Sequence, residues 1–155
     1  MPETLPNVRK SIRVPISASE AFDRFTRDMP EWWPLRSHSM SASEGKQPRG
    51  VTLQPHTGGR IREIRHDGDV AEWATITIWE PGRRLALDWY VGRRRAEATQ
   101  IDVSFSDTGD GGSRVDLTHR GFERLGVAGE AAASNYDEGW DFVLGEAFLL
   151  ACDTR

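Results

Sequence analysis

The chain is poor in several things, and each shortage removes a class of explanation. It has one cysteine in 155 residues, Cys152, so no intrachain disulfide can form; this favours a reducing compartment. No apolar run approaches the roughly 20 residues of a membrane span, and Met1-Pro2-Glu3-Thr4-Leu5-Pro6 lacks the basic stretch and apolar core of a signal peptide. A cytoplasmic location is the default expectation. Positive charge is also in short supply, with a net charge of −4, which gives no electrostatic reason to expect nucleic acid or an anionic membrane as partner. The four histidines, His38, His56, His66 and His119, are scattered, with no helix-spaced pair and no cysteine set beside them, so no structural zinc site is expected. The Asp107 to Gly112 turn lacks the acidic spacing and terminal glutamate of a calcium loop. No phosphate-cradling glycine motif, nucleophile elbow or Cys–His arrangement occurs. No metal and no cofactor are expected.

What the chain does have is aromatic mass and β pattern. Six tryptophans are present, three of them between Gly58 and Tyr90. That stretch holds three β-rich runs separated by the turns His66-Asp67-Gly68-Asp69 and Glu80-Pro81-Gly82-Arg83. Upstream, Val8, Ile12, Val14 and Ile16 share one parity, with Lys10 breaking the set, which predicts a half-buried strand. Ser17-Ala18-Ser19-Glu20 matches a capping box. Ala18, Ala21, Phe22, Phe25 and Met29 follow at helical spacing, and Pro30 is expected to end that helix. Glu31-Trp32-Trp33-Pro34 reads as a helical turn or tight loop in which Trp32 and Trp33 cannot easily both be buried. Ser37 to Gln47 reads as a mobile loop, and Val51 to Gln54 as a short strand. Gly92 to Arg95 is a solvated turn. Ala98 to Ser106 and Arg114 to Arg120 alternate around the Asp107–Gly112 hairpin turn. Tyr136, Trp140, Val143, Leu144, Ala147, Leu150 and Ala151 then recur at three and four residues, predicting a long amphipathic helix that begins near Glu130 or Ser134.

The expected class is α+β: a curved antiparallel sheet of about six or seven strands wrapped around a long C-terminal helix, with one or two short helices after the first strand. A single domain over residues 1–155 is expected, with a flexible tail at 1–7.

The order of these elements resembles the START-like helix-grip superfamily, also called SRPBCC. More narrowly, it is similar to the branch containing the C-terminal domain of the activator of heat shock protein 90 ATPase. The matching pieces are Gly58-Gly59 with Glu63, Glu80-Pro81 with Leu85 and Trp89, the Ala98 to Phe105 strand, Leu117-Thr118-His119-Arg120-Gly121, Gly139-Trp140 followed by Val143-Leu144, and Trp32-Trp33-Pro34. The resemblance spans about Val8 to Leu150. It implies a cavity between sheet and helix, and members that bind or process hydrophobic small molecules, including polyketides. The eukaryotic activator carries a further N-terminal domain that binds the chaperone. About seven residues precede the first strand here, so direct chaperone contact is doubtful.

The candidate ligand-binding residues are Trp32, Trp33, Glu63, Trp89, His119, Tyr136 and Trp140. The aromatics would supply contact area and the polar groups orientation. His119 shares parity with Val115 and Leu117 and should face inward, as a ligand contact, a proton-transfer group, or a core histidine satisfied by a neighbour. Glu63 shares parity with Ile61, but Ile64 on the other parity leaves its direction open. If the two converge, Glu63 and His119 suit a cyclase or dehydratase acting on a polyketide-like substrate. In the strand from Trp73 to Trp79, Ile76 and Ile78 are placed inward and Trp73 and Trp79 outward. Such a surface would fit a homodimer or another interaction partner.

Overall fold

The computed structural model describes residues 5–153. Residues 1–4 of the expected tail lie outside the described residues, whereas Leu5 packs against the core and its N–H donates to Glu123. Seven strands form one antiparallel sheet: β1 (Val8–Val14), β2 (Gly50–Leu53), β3 (Arg60–Ile64), β4 (Val70–Glu80), β5 (Arg84–Trp89), β6 (Thr99–Asp107) and β7 (Ser113–Arg120), in the order β1-β7-β6-β5-β4-β3-β2. The sheet curls into a half-barrel around a long C-terminal helix, the helix-grip architecture.

Alternation sets which face is packed. Ile61, Leu85, Leu87, Ile101, Val103, Val115 and Leu117 are all buried on the concave side. Lys10, the polar break in the β1 pattern, reaches Asp137 and Asp141 of the C-terminal helix at 2.8 Å each. The turn before β3 depends on glycine at two points. Gly58 has φ +86°, and a Cβ on Gly59 would lie 2.2 Å from the Gln54 carbonyl oxygen.

Helix α1 (Ala18–Phe25) begins where the capping box places it. The Ser17 hydroxyl accepts from the Glu20 N–H at 3.1 Å. It ends earlier than expected. Pro30 does not terminate it; Pro30 sits in the first turn of a separate short helix, α2 (Met29–Trp32), where a missing N–H costs nothing. Trp32 and Trp33 are both buried, at 9% and 8% exposure, because their rings pack on each other with centroids 5.6 Å apart, Trp32 extending the contact to Phe148 and Trp33 to Trp73. The segment read as a loop at 37–47 contains a third short helix, α3 (Met40–Ser43).

The C-terminal helix is continuous from Gly129 to Cys152: α4 (Gly129–Phe142), a π-helical stretch (Val143–Phe148) and α5 (Leu149–Cys152). It starts before Ser134, which lies inside it.

The faces of β4 need a correction. Trp73 is inward and 1% exposed, and Trp79 packs edge-on against Phe22 with centroids 4.9 Å apart. Ile76 is inward as expected, but Ile78 pairs with Ala86 on the convex face. The cause is two register shifts, one in β4 between Ile76 and Ile78 and one opposite Ile61/Arg62. Each inserts a residue and reverses the parity beyond it. The sticky outer face that motivated a homodimer is therefore not built from Trp73 and Trp79. Among the described residues no helix is long and apolar enough to cross a membrane.

Candidate functional site

Between the sheet, α4 and the 33–43 segment lies a cavity of about 260 Å³. Trp33, Trp73, Trp89 and Tyr136 form its aromatic walls, with Val91 at one edge. The facing wall is small and polar, with Ser37, His38, Ser39, Ala42 and Ser43.

Five of the six tryptophans form one continuous cluster, and Trp79 packs apart from them on Phe22. Trp33 sits at its centre, 5.5 Å from Trp73, 5.9 Å from Trp89 and 6.1 Å from Trp140 between ring centroids. Each indole N–H in the cluster is tied to a protein acceptor. Trp33 donates to the His38 carbonyl at 2.7 Å, Trp73 to Glu63 at 3.1 Å, Trp89 to the Tyr136 hydroxyl at 3.0 Å and Trp140 to His119 at 3.1 Å. Trp32 donates to the Arg24 carbonyl at 2.7 Å. A buried indole needs such a partner, and once it has one the ring is fixed in orientation.

These bonds define what Glu63 and His119 do. Glu63 points inward from β3 and is fully buried. Besides Trp73, its carboxylate accepts from the N–H of Met40 at 2.7 Å, the N–H of Ser41 at 3.0 Å and the Ser41 hydroxyl at 2.8 Å. A carboxylate with four donors is paired as a buried charge must be. It pins α3, and so the polar wall of the cavity, to the sheet.

His119 is likewise fully buried. Indole N–H only donates, so the bond from Trp140 makes Nδ1 an acceptor. Nε2 must then carry the hydrogen and donate to the Thr99 hydroxyl, 2.7 Å away. The Thr99 hydroxyl in turn donates to the Trp89 carbonyl at 3.3 Å. Both imidazole nitrogens are occupied, and burial drives the pKa down to about 3, so the ring is neutral near pH 7. Glu63 and His119 share no hydrogen bond, and neither lines the cavity.

Of the sequence candidates, Trp33, Trp89 and Tyr136 meet at the cavity, and Trp140 stands behind them. Trp32 lines a different surface groove, between α2 and the C-terminal helix. Sequence reasoning missed Trp73, whose face was misread, and His38. The signal for His38 was its place two residues after Pro34-Leu35-Arg36 in a serine-rich run, which carries no periodicity to read. Its Nδ1 lies 2.7 Å from the Ser37 hydroxyl, and its ring stacks on Phe142 with centroids 5.3 Å apart and planes 18° from parallel. Burial lowers its pKa. Tyr136 accepts from Trp89, and among the described residues nothing accepts its own proton. Burial is the main cause of its raised pKa. No group of three or more His, Cys, Asp or Glu side chains is placed to hold a metal among the described residues.

Known proteins share this architecture. The anthrahydroquino-gamma-pyrone synthase Txn09 is 31% identical, with a TM-score of 0.65, over 97% of this chain and 99% of its own. The self-sacrificing resistance protein CalC from Micromonospora echinospora is 27% identical, with a TM-score of 0.67, over 96% of this chain and 94% of its own. No curated protein sequence matches the chain. The family model described as activator of Hsp90 ATPase homolog 1-like protein matches residues 16–148, and the chain belongs to that family.

Proposed function

We propose that this protein binds a flat, hydrophobic aromatic small molecule in the tryptophan-walled cavity. The observation that carries the reading is the cavity itself. It is a 260 Å³ space walled by three indoles and a phenol, and the indole N–H groups are already spent on protein acceptors. What the walls still offer a ligand is apolar ring surface, suited to stacking and edge contacts with another aromatic system. The Tyr136 hydroxyl and the serine wall supply the few convergent polar groups that orient a ligand. The volume lies just below the range of small-molecule sites, which begins at about 300 Å³. It accommodates a bicyclic core, with any larger portion projecting through the mouth.

The likeness to a synthase named for an anthrahydroquinone–pyrone, over nearly the whole of both chains, supports an aromatic ring system of that kind as the ligand class. Native mass spectrometry of freshly purified protein should reveal a co-purified aromatic molecule, and 2-naphthol should raise the melting temperature. No mass increment together with no thermal shift from 2-naphthol would sink this reading.

A further inference from the structure

The cavity has a charged neighbour. An open basin of about 510 Å³ is lined by Met40, Ala71, Tyr90 and the three arginines Arg93, Arg94 and Arg95. The same three segments build both spaces. Ser39, Trp73 and Val91 line the cavity, and Met40, Ala71 and Gly92, one or two residues away in the chain, line the basin.

The arginine turn is fixed to the strand that carries Trp73. The Tyr90 N–H donates to the Trp73 carbonyl at 2.8 Å, and the Tyr90 hydroxyl donates to Glu72 at 2.8 Å. The Arg93 N–H donates back to the Tyr90 carbonyl at 2.9 Å, across a turn in which Gly92 takes φ +71°. The two acids of the basin are already committed. Glu72 pairs with Arg60 and Arg62, and Glu97 pairs with Arg94. Arg93 and Arg95 make no hydrogen bond and no salt bridge among the described residues. Burial raises the Tyr136 pKa, while the Trp89 N–H and the Arg93 charge pull against it, so the field of Arg93 reaches a hydroxyl of the cavity wall.

We propose that the aromatic ligand is an acid, its rings held among the tryptophans and its ionised carboxylate held at the rim by Arg93 and Arg95. This rests on the ligand-binding reading and names the chemical class of the ligand. No residue lining the cavity carries a fixed positive charge, so an ionised group inside it would stand unpaired. A guanidinium matches a carboxylate with two parallel N–H donors, and the arginine turn supplies two guanidinium groups without partners beside the cavity. The basin also gives room to the portion of a ligand that the smaller cavity leaves outside.

The test compares 2-naphthoate with 2-naphthamide, its neutral counterpart of nearly the same shape. Affinities come from calorimetry, and the tryptophan indole signals report where each probe sits. The wild type should bind 2-naphthoate about tenfold more tightly than 2-naphthamide. That preference should vanish in about 1 M sodium chloride, where charges are screened beyond roughly 3 Å. Arg93→Gln should weaken 2-naphthoate about fivefold, and Arg93→Gln with Arg95→Gln should remove the preference, with 2-naphthamide affinity within about twofold throughout. Both arginines are exposed, as is Arg83 in the turn between β4 and β5. Arg83→Gln, which removes the same charge elsewhere, should leave both affinities unchanged. Equal wild-type affinity for the two probes, or an equal loss in Arg83→Gln, overturns the assignment of the arginine turn and leaves ligand binding standing. So does 2-naphthoate bound without a shift at Trp33, Trp73 or Trp89 while 2-naphthamide shifts them, since the anion would then sit apart from the cavity. No shift of those indoles by either probe or by 2-naphthol overturns both.

Discussion

The space between sheet and C-terminal helix is filled differently at its two ends. At one end Phe22, Phe25, Phe105 and Phe148 pack edge to face, with centroids 5.2 to 6.1 Å apart, and close the core. At the other, Trp33, Trp73 and Trp89 stand around open volume, with Trp140 behind them. Phenylalanine has no polar atom to satisfy, so it can settle wherever packing is densest. Each tryptophan brings an N–H that needs an acceptor, and here two acceptors, Glu63 and His119, lie outside the cavity lining while Tyr136 and the His38 carbonyl belong to residues that line it. Those bonds hold the rings apart. Glu63 and His119, which looked like ligand contacts in the sequence, act one step further out, holding the rings that line the cavity, whereas Tyr136 lines it directly.

The comparison can be broken from either end. Phe148→Ala should cost about 3–5 kcal/mol in a urea titration, as a large buried aromatic does when truncated, while 2-naphthol affinity per folded molecule stays within about twofold. A large loss of affinity would show that the two ends are not independent. Glu63→Ala should cost about 3 kcal/mol, because it strands buried donors from Trp73, Met40 and Ser41. Unlike the phenylalanine change, it should also release the polar wall and abolish binding.

His119 gives the open end an acid-sensitive fixture. Its folded-state pKa of about 3 lies below its ordinary value of 6.5, so the unfolded chain takes up the proton first. The contribution is complete above about 6.5 and is lost as pH falls toward 3, at about 1.4 kcal/mol per pH unit. Unfolding free energies from urea titrations between pH 7 and 4 should fall with that slope, and His119→Gln should flatten it. The smallest effect is expected of Tyr136→Phe, about 1 kcal/mol for the bond lost by Trp89, with ligand affinity falling severalfold because the free hydroxyl is lost as well.

Much of the fold was legible because its signals are local and repeated. The capping box at Ser17, the alternation of β6 and β7 and the helical period from Tyr136 all describe elements that formed. Lys10 broke the β1 pattern for a reason lying 127 residues away, in Asp137. The site was less legible. The register shifts in and opposite β4 leave no composition signature, so the parity that placed Ile76 correctly misplaced Ile78, Trp73 and Trp79. Trp33 was readable as a large aromatic in a short turn, but its burial depends on Trp73, Trp89 and Trp140 meeting it from three other elements. His38 sits in a segment whose position is set by Glu63 in a strand 25 residues on, and that coupling is tertiary.

The six indole N–H signals of a ¹⁵N-labelled sample test the central claim most directly. Titration with 2-naphthol should shift Trp33, Trp73 and Trp89 together and leave Trp32 and Trp79 where they are. Shifts confined to Trp32, which lines the groove against the C-terminal helix, or no shift in any of the six, would contradict a binding site at the tryptophan end.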